Sequence, residues 1–459
     1  MTATSLAVVF LLLAGGSVAA GFASAESSTT ADILASRTPT PTADPASTRI
    51  SPAVLPDGTV LHTCLVSQFA DADPLGVLRG SVVNADTGED LFERDPDYAT
   101  KPGSALATLT ATAAVTRLGG DYQLMTTVTD GNKPGSIVLV GGGDATLSQL
   151  GENEESVYTG APKLTELATE TLAAYAVAHP GEKITEILLD ATYWDKADRW
   201  NSGWNRSLQT DGHLSEVTAL QVDGDRADPT SQVSPRSTDP IGRAGTSFAL
   251  ALGLDPDKVS FRAGTPENGA PVLAEARSAP VSSLVQQMLS TNDATLAEML
   301  ARVVSVESGF GGSAASLQQA IPQALQAIGL TTSDVAITDG SGLSTNDAVA
   351  TSFFADLMVK VGTTEDLSGV LGGLAISGQT GSLANRFTGE NASAAGSITG
   401  ASGAVDGARS LTGIMTAADG SRLAFAFVAS NNIVSAATEE ALDTLVAGVQ
   451  TCGSNLSNN

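Results

Sequence analysis

The sequence predicts an α+β fold whose antiparallel sheet is assembled from both ends of the chain, with smaller inserted material between them. Three observations predict it. Gly76 to Phe92 (GVLRGSVVNADTGEDLF) alternates apolar and polar residues around Asp86-Thr87-Gly88, the pattern of a β-hairpin. Residues 394–428 hold four short strand-like segments, whereas the span between hairpin and meander is rich in apolar residues at helical spacing. The two cysteines, Cys64 and Cys452, stand at the edges of the folded region. In an exported chain such a lone pair suggests one disulfide, which makes the first and last elements neighbours; the other reading is two buried thiols.

The elements between follow from local signals. Pro102 and Gly103 open a helix from Ser104 to Leu118, stopped by Gly119-Gly120. Ile137 to Leu147 (IVLVGGGDATL) reads as a buried strand running into a glycine turn, and Ile184 to Asp190 as another strand. Leu164 to Ala178 has apolar spacing of three and four and ends at His179-Pro180-Gly181. Trp194 to Gly212 is loop-like and holds all three tryptophans; Val217 to Asp225 (VTALQVDGD) reads as a strand and turn. Helices are expected over Pro240–Leu252, Val281–Val304, Ser316–Ile328 and Asp347–Val361. The meander comprises Ala394–Ile398, Ser402–Val405, Ser410–Thr416 and Leu423–Val428, and a helix over Ala436–Val449 leads to Cys452.

Composition narrows the class. At 459 residues the chain is too long for one ordinary core, and its 42% hydrophobic and 16% charged residues describe a globular protein. A net charge of −27 excludes nucleic acid as a natural partner, because phosphate binding needs a basic face. Ser5 to Ala25 is apolar and ends in Ala23-Ser24-Ala25, a small-x-small pattern suited to signal peptidase, though no Lys or Arg precedes it. Residues 1–25 are therefore a signal peptide or an uncleaved N-terminal anchor, the one route to a membrane, and either places the folded part outside the cytoplasm. Residues 26–62, rich in Ser, Thr, Pro and Ala, read as a linker, and 453–459 as a tail. Three scattered histidines and two engaged cysteines leave no metal site, and no cofactor is expected.

Laid in order, seven segments resemble the class C low-molecular-mass penicillin-binding proteins, the D-Ala-D-Ala carboxypeptidase/endopeptidase family. They are the hairpin before Ser104, LVGGGDATL, VTALQVDGD, STNDATLAE, ITDGSGLS, GSLANRF and the terminal meander. The resemblance implies a serine transpeptidase/β-lactamase-like domain, here 63–135 and 281–452, with one or more inserted domains at 136–280 between the first two motifs. Such enzymes act through S-x-x-K, S-x-N and K-T-G. A serine hydroxyl is a weak nucleophile, and a lysine three residues on shares its helix face and can take its proton.

Carried over residue by residue, the first motif is Ser104-Ala105-Leu106-Ala107: the serine stays and the lysine position is Ala107. The second, Ser290-Thr291-Asn292, is complete. The third falls at Ala401-Ser402-Gly403, again with alanine for lysine; a rival placement, Gln379-Thr380-Gly381, offers glutamine. None of the lysines (101, 133, 163, 183, 196, 258, 360) stands three residues after a serine or begins a K-[ST]-G triplet, so the loss does not depend on the alignment. If Asp406-Gly407 form a two-residue turn, Ala404 faces Arg409 across the strands. Arg409 is then either a fork for a substrate carboxylate beside Ser402, Gly403 and Ala404 or a solvent-facing strand residue.

The resemblance implies an exported cell-wall homologue that has lost chemistry and binds, if anything, a peptidoglycan stem peptide or a β-lactam. A working carboxypeptidase with a displaced base and a structural, partner-binding protein are the alternatives. Singly, Ser104 also fits a plain first-turn helix residue, and Asn292 a helix N-cap. The glycines at 141–143 fit a tight turn better than a phosphate loop, and the tryptophans fit either domain packing or a sugar platform.

Overall fold

The computed structural model describes residues 62–458; the expected leader or anchor and nearly all of the expected linker lie outside the described residues. Eleven strands occur among them: β1 (Val77–Asn84), β2 (Asp90–Arg94), β3 (Met125–Asp130), β4 (Ser136–Gly141), β5 (Glu186–Asp190) and β6 (Ser260–Ala263) come first. β7 (Val272–Arg277), β8 (Ala375–Ile376), β9 (Ile398–Val405), β10 (Ala408–Thr416) and β11 (Arg422–Ser430) follow. The helices are α1 (Ser67–Ala70), α2 (Ala107–Leu118), α3 (Leu164–Ala178), α4 (Ser207–Thr210), α5 (Pro240–Ala251) and α6 (Val281–Thr291). They continue as α7 (Ala294–Glu307), α8 (Leu317–Ala327), α9 (Thr351–Thr363), α10 (Ser368–Gly373) and α11 (Ala436–Cys452).

The first sheet has the order β2-β1-β11-β10-β9-β8 and is antiparallel throughout, so the N-terminal hairpin and the C-terminal meander share it. Alternation along β11 explains its two-sided burial. Leu423, Phe425, Phe427 and Ala429 enter a core with Leu442, Leu445 and Val446 of α11. Ala424 and Ala426 enter the larger core on the other face, where α9 packs on the sheet and α2 lies among α6, α7 and α8. Every α2 residue from Ala107 to Val115 is buried, and its run of Ala and Thr lets neighbouring helices approach closely. The Cys64–Cys452 disulfide clasps the ends, with a Cα–Cα distance of 5.5 Å. No helix among the described residues is long and apolar enough to cross a membrane.

The second sheet, β6-β5-β4-β3-β7, comes wholly from the chain between the two halves of the first. β4, β5 and β6 are parallel, and the crossovers they require contain α3 and α5. β3 and β7 close it antiparallel. Because β3 belongs to this sheet, the inserted material begins before residue 136, about a strand and a turn earlier than expected.

Three other expectations change. Ala394–Ile398 is not a strand of its own: a 3-10 helix covers Gly389–Ala394 and β9 starts at Ile398, so the meander has three strands and not four. Val217–Asp225 is buried but forms no strand, since Asp223, Gly224 and Asp225 all adopt positive φ (52°, 57° and 58°) and curl the segment into a 3-10 turn. The expected helix Val281–Val304 is two, because Asn292 takes a left-handed conformation (φ 54°) and ends α6. Asp293 then starts α7, its Oδ1 accepting from Leu296 N at 3.0 Å. Asn292 is therefore a C-cap, not the N-cap its neighbours suggest.

Candidate active site

Three backbones meet around Ser104, and each meeting needs a missing side chain. Gly103 has φ +57° and opens the 3-10 turn Gly103–Leu106 that runs into α2; a Cβ there would lie 2.7 Å from Ala404 N. A Cβ at Gly403 of β9 would lie 2.1 Å from Pro102 O, and one at Gly342 would lie 1.9 Å from Gly103 O. The Ser104 turn is thus pressed between the β9 strand and the loop Asp339–Gly342. Ser410 Oγ donates to Pro102 O at 2.5 Å and Thr110 Oγ1 to Gly340 O at 2.7 Å, tying the turn to both sides.

Registers decide which third-motif placement faces the turn. Gly403 pairs with Ser410 and Ala401 with Thr412, so Ala401 shares with Gly403 the face of β9 that packs on the Ser104 turn. Ser402 pairs with Leu411, which belongs to the core on the α11 side. The rival Gln379-Thr380-Gly381 lies in a turn after β8, where Thr380 Oγ1 accepts from Ile376 N at 2.9 Å. It is no strand.

The second motif approaches through an intermediary. Ser290 is exposed on the last turn of α6, and its hydroxyl donates back to Gln287 O at 3.1 Å. A Cβ on Gly381 would stand 3.0 Å from Ser290 O and 2.9 Å from Ala375 Cβ, and Ala375 pairs with Gly400 of β9. Just beyond exposed Asn292, buried Asp293 accepts from Arg226 Nη2 at 2.7 Å, and Arg226 Nη1 donates to Tyr158 OH at 2.7 Å. The segment bearing the second motif is therefore anchored to the inserted material.

Ser104 Oγ makes no hydrogen bond among the described residues, although its side chain is only partly buried. Ala107 is 6% exposed and packs into the larger core. Lys101, the cation nearest in sequence, donates to Asp406 O at 3.4 Å, at the tip of the β9–β10 hairpin. Arg409 pairs with Ala404 as the turn at Asp406-Gly407 requires, but its guanidinium is already committed. It donates to Glu439 Oε1 on α11 and to Ala408 O, each at 3.0 Å. Ser410, its neighbour, points to the Ser104 turn, so Arg409 lies on the opposite face of the sheet; the carboxylate-anchor reading is corrected by that alternation.

A set of buried carboxylates escaped the sequence reading. Glu298 Oε1 accepts from Gly340 N and Ser341 N, both at 2.8 Å, and Asp339 Oδ1 accepts from Gly342 N at 2.6 Å. Asp339 Oδ2 takes Trp204 Nε1 at 2.6 Å, and Asp347 Oδ1 takes Thr338 N at 2.6 Å. Burial, and then the charge of Asp339, pushes Glu298 up to about 8 and Asp347 up to about 9. These groups brace the loop that holds Gly342 against Gly103.

Residues 64–235 and 219–450 match the model of the D-Ala-D-Ala carboxypeptidase 3 (S13) family. The chain belongs to that family. It is 31% identical over 458 residues to the carboxypeptidase DacB of Mycolicibacterium smegmatis, covering 98% of this chain and 97% of that one. It is 24% identical to a D-alanyl-D-alanine carboxypeptidase of an Actinomadura species, over 76% of each. Penicillin binding protein 4 (dacB) of Haemophilus influenzae has the same fold: TM-score 0.66 at 18% identity, covering 83% of this chain and 98% of that structure. The S13 chain described here is thus a class C low-molecular-mass penicillin-binding protein homologue with a transpeptidase/β-lactamase-like sheet and inserted material. In S13 terms, the turn bearing Ser104 and the strand bearing Ala401-Ser402-Gly403 are in direct contact.

Proposed function

We propose that this S13 member is exported to the cell wall and no longer hydrolyses D-Ala-D-Ala bonds at a useful rate, its cleft serving to hold a peptidoglycan stem peptide. The observation behind this reading is the isolation of Ser104 Oγ, with Ala107 where one motif amine would stand and Ala401 where the other would. A positioned general base contributes roughly a hundred- to ten-thousand-fold, and a cation near the reacting serine adds electrostatic stabilisation worth about 3 kcal/mol in a dry site. Without both, a trace of turnover remains. Lys101 supports the reading further, since its ammonium reaches the hairpin tip and not the serine.

The test is acylation by a fluorescent penicillin. The native chain is expected to stay unlabelled, while Ala107→Lys/Ala401→Lys, which returns an amine to each position, gains labelling that Ser104→Ala abolishes. Stable labelling of Ser104 in the native chain would establish a working enzyme with a displaced base. Saturable binding of a D-Ala-D-Ala peptide to the unlabelled chain is the companion result; its absence would leave a structural or partner-binding role.

A further inference from the structure

One cavity lies mostly in the inserted part, its wall completed by Gly311 from the chain after α7. It has a volume of about 680 Å³ and opens at the carboxyl ends of the parallel strands β5 and β6, where Leu189 and Ala263 stand. This volume falls in the range of small-ligand sites. Nothing in the three motifs accounts for it.

Its walls have a definite chemistry. Leu189, Ile241 and the buried Trp194 make an apolar floor. Tyr193 presents a half-buried ring held in place: its hydroxyl donates to Glu307 Oε1 at 2.6 Å, and its ring packs 5.8 Å from that of Trp194. Exposed Asp195 and Thr265 supply polar groups at the rim, and the Thr265 hydroxyl has no partner within the described chain. None of the described lining residues is Lys, Arg or His, so the cavity offers nothing to an anionic ligand on a chain of net charge −27.

An uncharged ligand with one apolar face, a small apolar appendage and a hydroxylated edge satisfies all of these features. We infer that the cavity binds an N-acetylhexosamine unit of a β-1,4-linked glycan: the ring lies on Tyr193, the acetamido methyl meets the apolar floor, and hydroxyls bond Asp195 and Thr265. The sugar class rests on the cell-wall reading above; the cavity itself does not. A chain so built would grip the glycan strand through its insertion while the Ser104 cleft faces the attached peptide.

The experiment titrates the full chain with a tetramer of β-1,4-linked N-acetylglucosamine, followed by tryptophan fluorescence and calorimetry. Saturable binding that perturbs Trp194 is expected. Thr265→Trp, an exposed position where a large ring fills the mouth, weakens it by roughly tenfold or more, and Tyr193→Ala does likewise. Tyr193→Phe, which keeps the ring, retains most of it. The glucose tetramer without acetamido groups binds far more weakly, and Ser104→Ala binds like the native chain. Absence of binding at millimolar sugar would overturn the inference, as would a Thr265→Trp chain that binds like the native one, equal binding of the glucose tetramer, or loss of binding with Ser104→Ala. None of these outcomes depends on whether penicillin labels Ser104, so the two readings fail separately.

Discussion

At the scale of single residues, glycines decide whether the Ser104 turn can exist. Gly342 has φ +76° and its missing Cβ would sit 1.9 Å from Gly103 O; Gly88 has φ +75° with nothing within 4 Å. The two share a backbone strain and differ only in what surrounds them. Gly88→Ala is expected to cost about 1–2 kcal/mol, the left-handed penalty alone, whereas Gly342→Ala adds an overlap with backbone and should cost roughly 2–5 kcal/mol. Urea unfolding of the two variants checks this. Equal losses would show that the loop simply moves off the turn, and that the site is looser than its contacts imply. Arg409 illustrates the opposite case: its pair with Glu439 is partly exposed on both sides (21% and 40%), so Arg409→Ala should change stability by about 1 kcal/mol or less. The pairing of Arg409 with Ala404 was legible from the Asp-Gly turn; the face it points to was not, because that depends on which side of the sheet the Ser104 turn occupies.

At the scale of elements, the carboxylates under the Asp339–Gly342 loop give the fold a pH dependence with a definite sign. Glu298 titrates near 4.5 unfolded and about 8 folded, so between those values the folded chain holds the extra proton. Stability therefore falls as pH rises from about 4.5 to 8, by at most on the order of 1 kcal/mol per pH unit for each such group. Asp347, also raised, contributes in the same direction. Glu298→Gln keeps an oxygen for Gly340 N and Ser341 N and removes the ionisation, so its stability should fall less steeply over that window. A native chain whose denaturant midpoint is flat from pH 5 to 8 would refute the assignment. Helix α7 shows why this was hidden: in TLAE the glutamate sits among apolar residues and reads as a helix former, and only the distant loop it braces gives it a role. Asn292 was hidden for a similar reason. Its type suits either end of a helix, and Asp293, the true N-cap, is distinguished by its side-chain bond to Leu296 N and by Arg226, sixty-seven residues away in sequence. Strands β3, β6, β7 and the two-residue β8 were missed because their neighbours in the sheet, not their short and partly exposed sequences, make them strands.

At the scale of the whole molecule, the sheet built from both termini makes the ends of the described chain interdependent. Cys64 N donates to Asn455 O at 3.0 Å, and α1 packs on α11, where a Cβ at Gly448 would lie 2.9 Å from the Phe69 ring. The disulfide joins residues separated by 388 positions, and loop-closure entropy for so long a span amounts to roughly 6 kcal/mol if the unfolded chain is otherwise free. Cys64→Ala/Cys452→Ala should therefore lower the urea midpoint markedly. Hydrogen exchange should quicken first in residues 62–75 and the end of α11, since those segments meet through few backbone bonds once the clasp is gone. β10 and β11, buried at the centre of the six-stranded sheet, should keep their protection until global unfolding. If the midpoint is unchanged while the termini exchange faster, the unfolded chain is already compact enough to bring the two ends together, and the clasp acts on the folded ends alone.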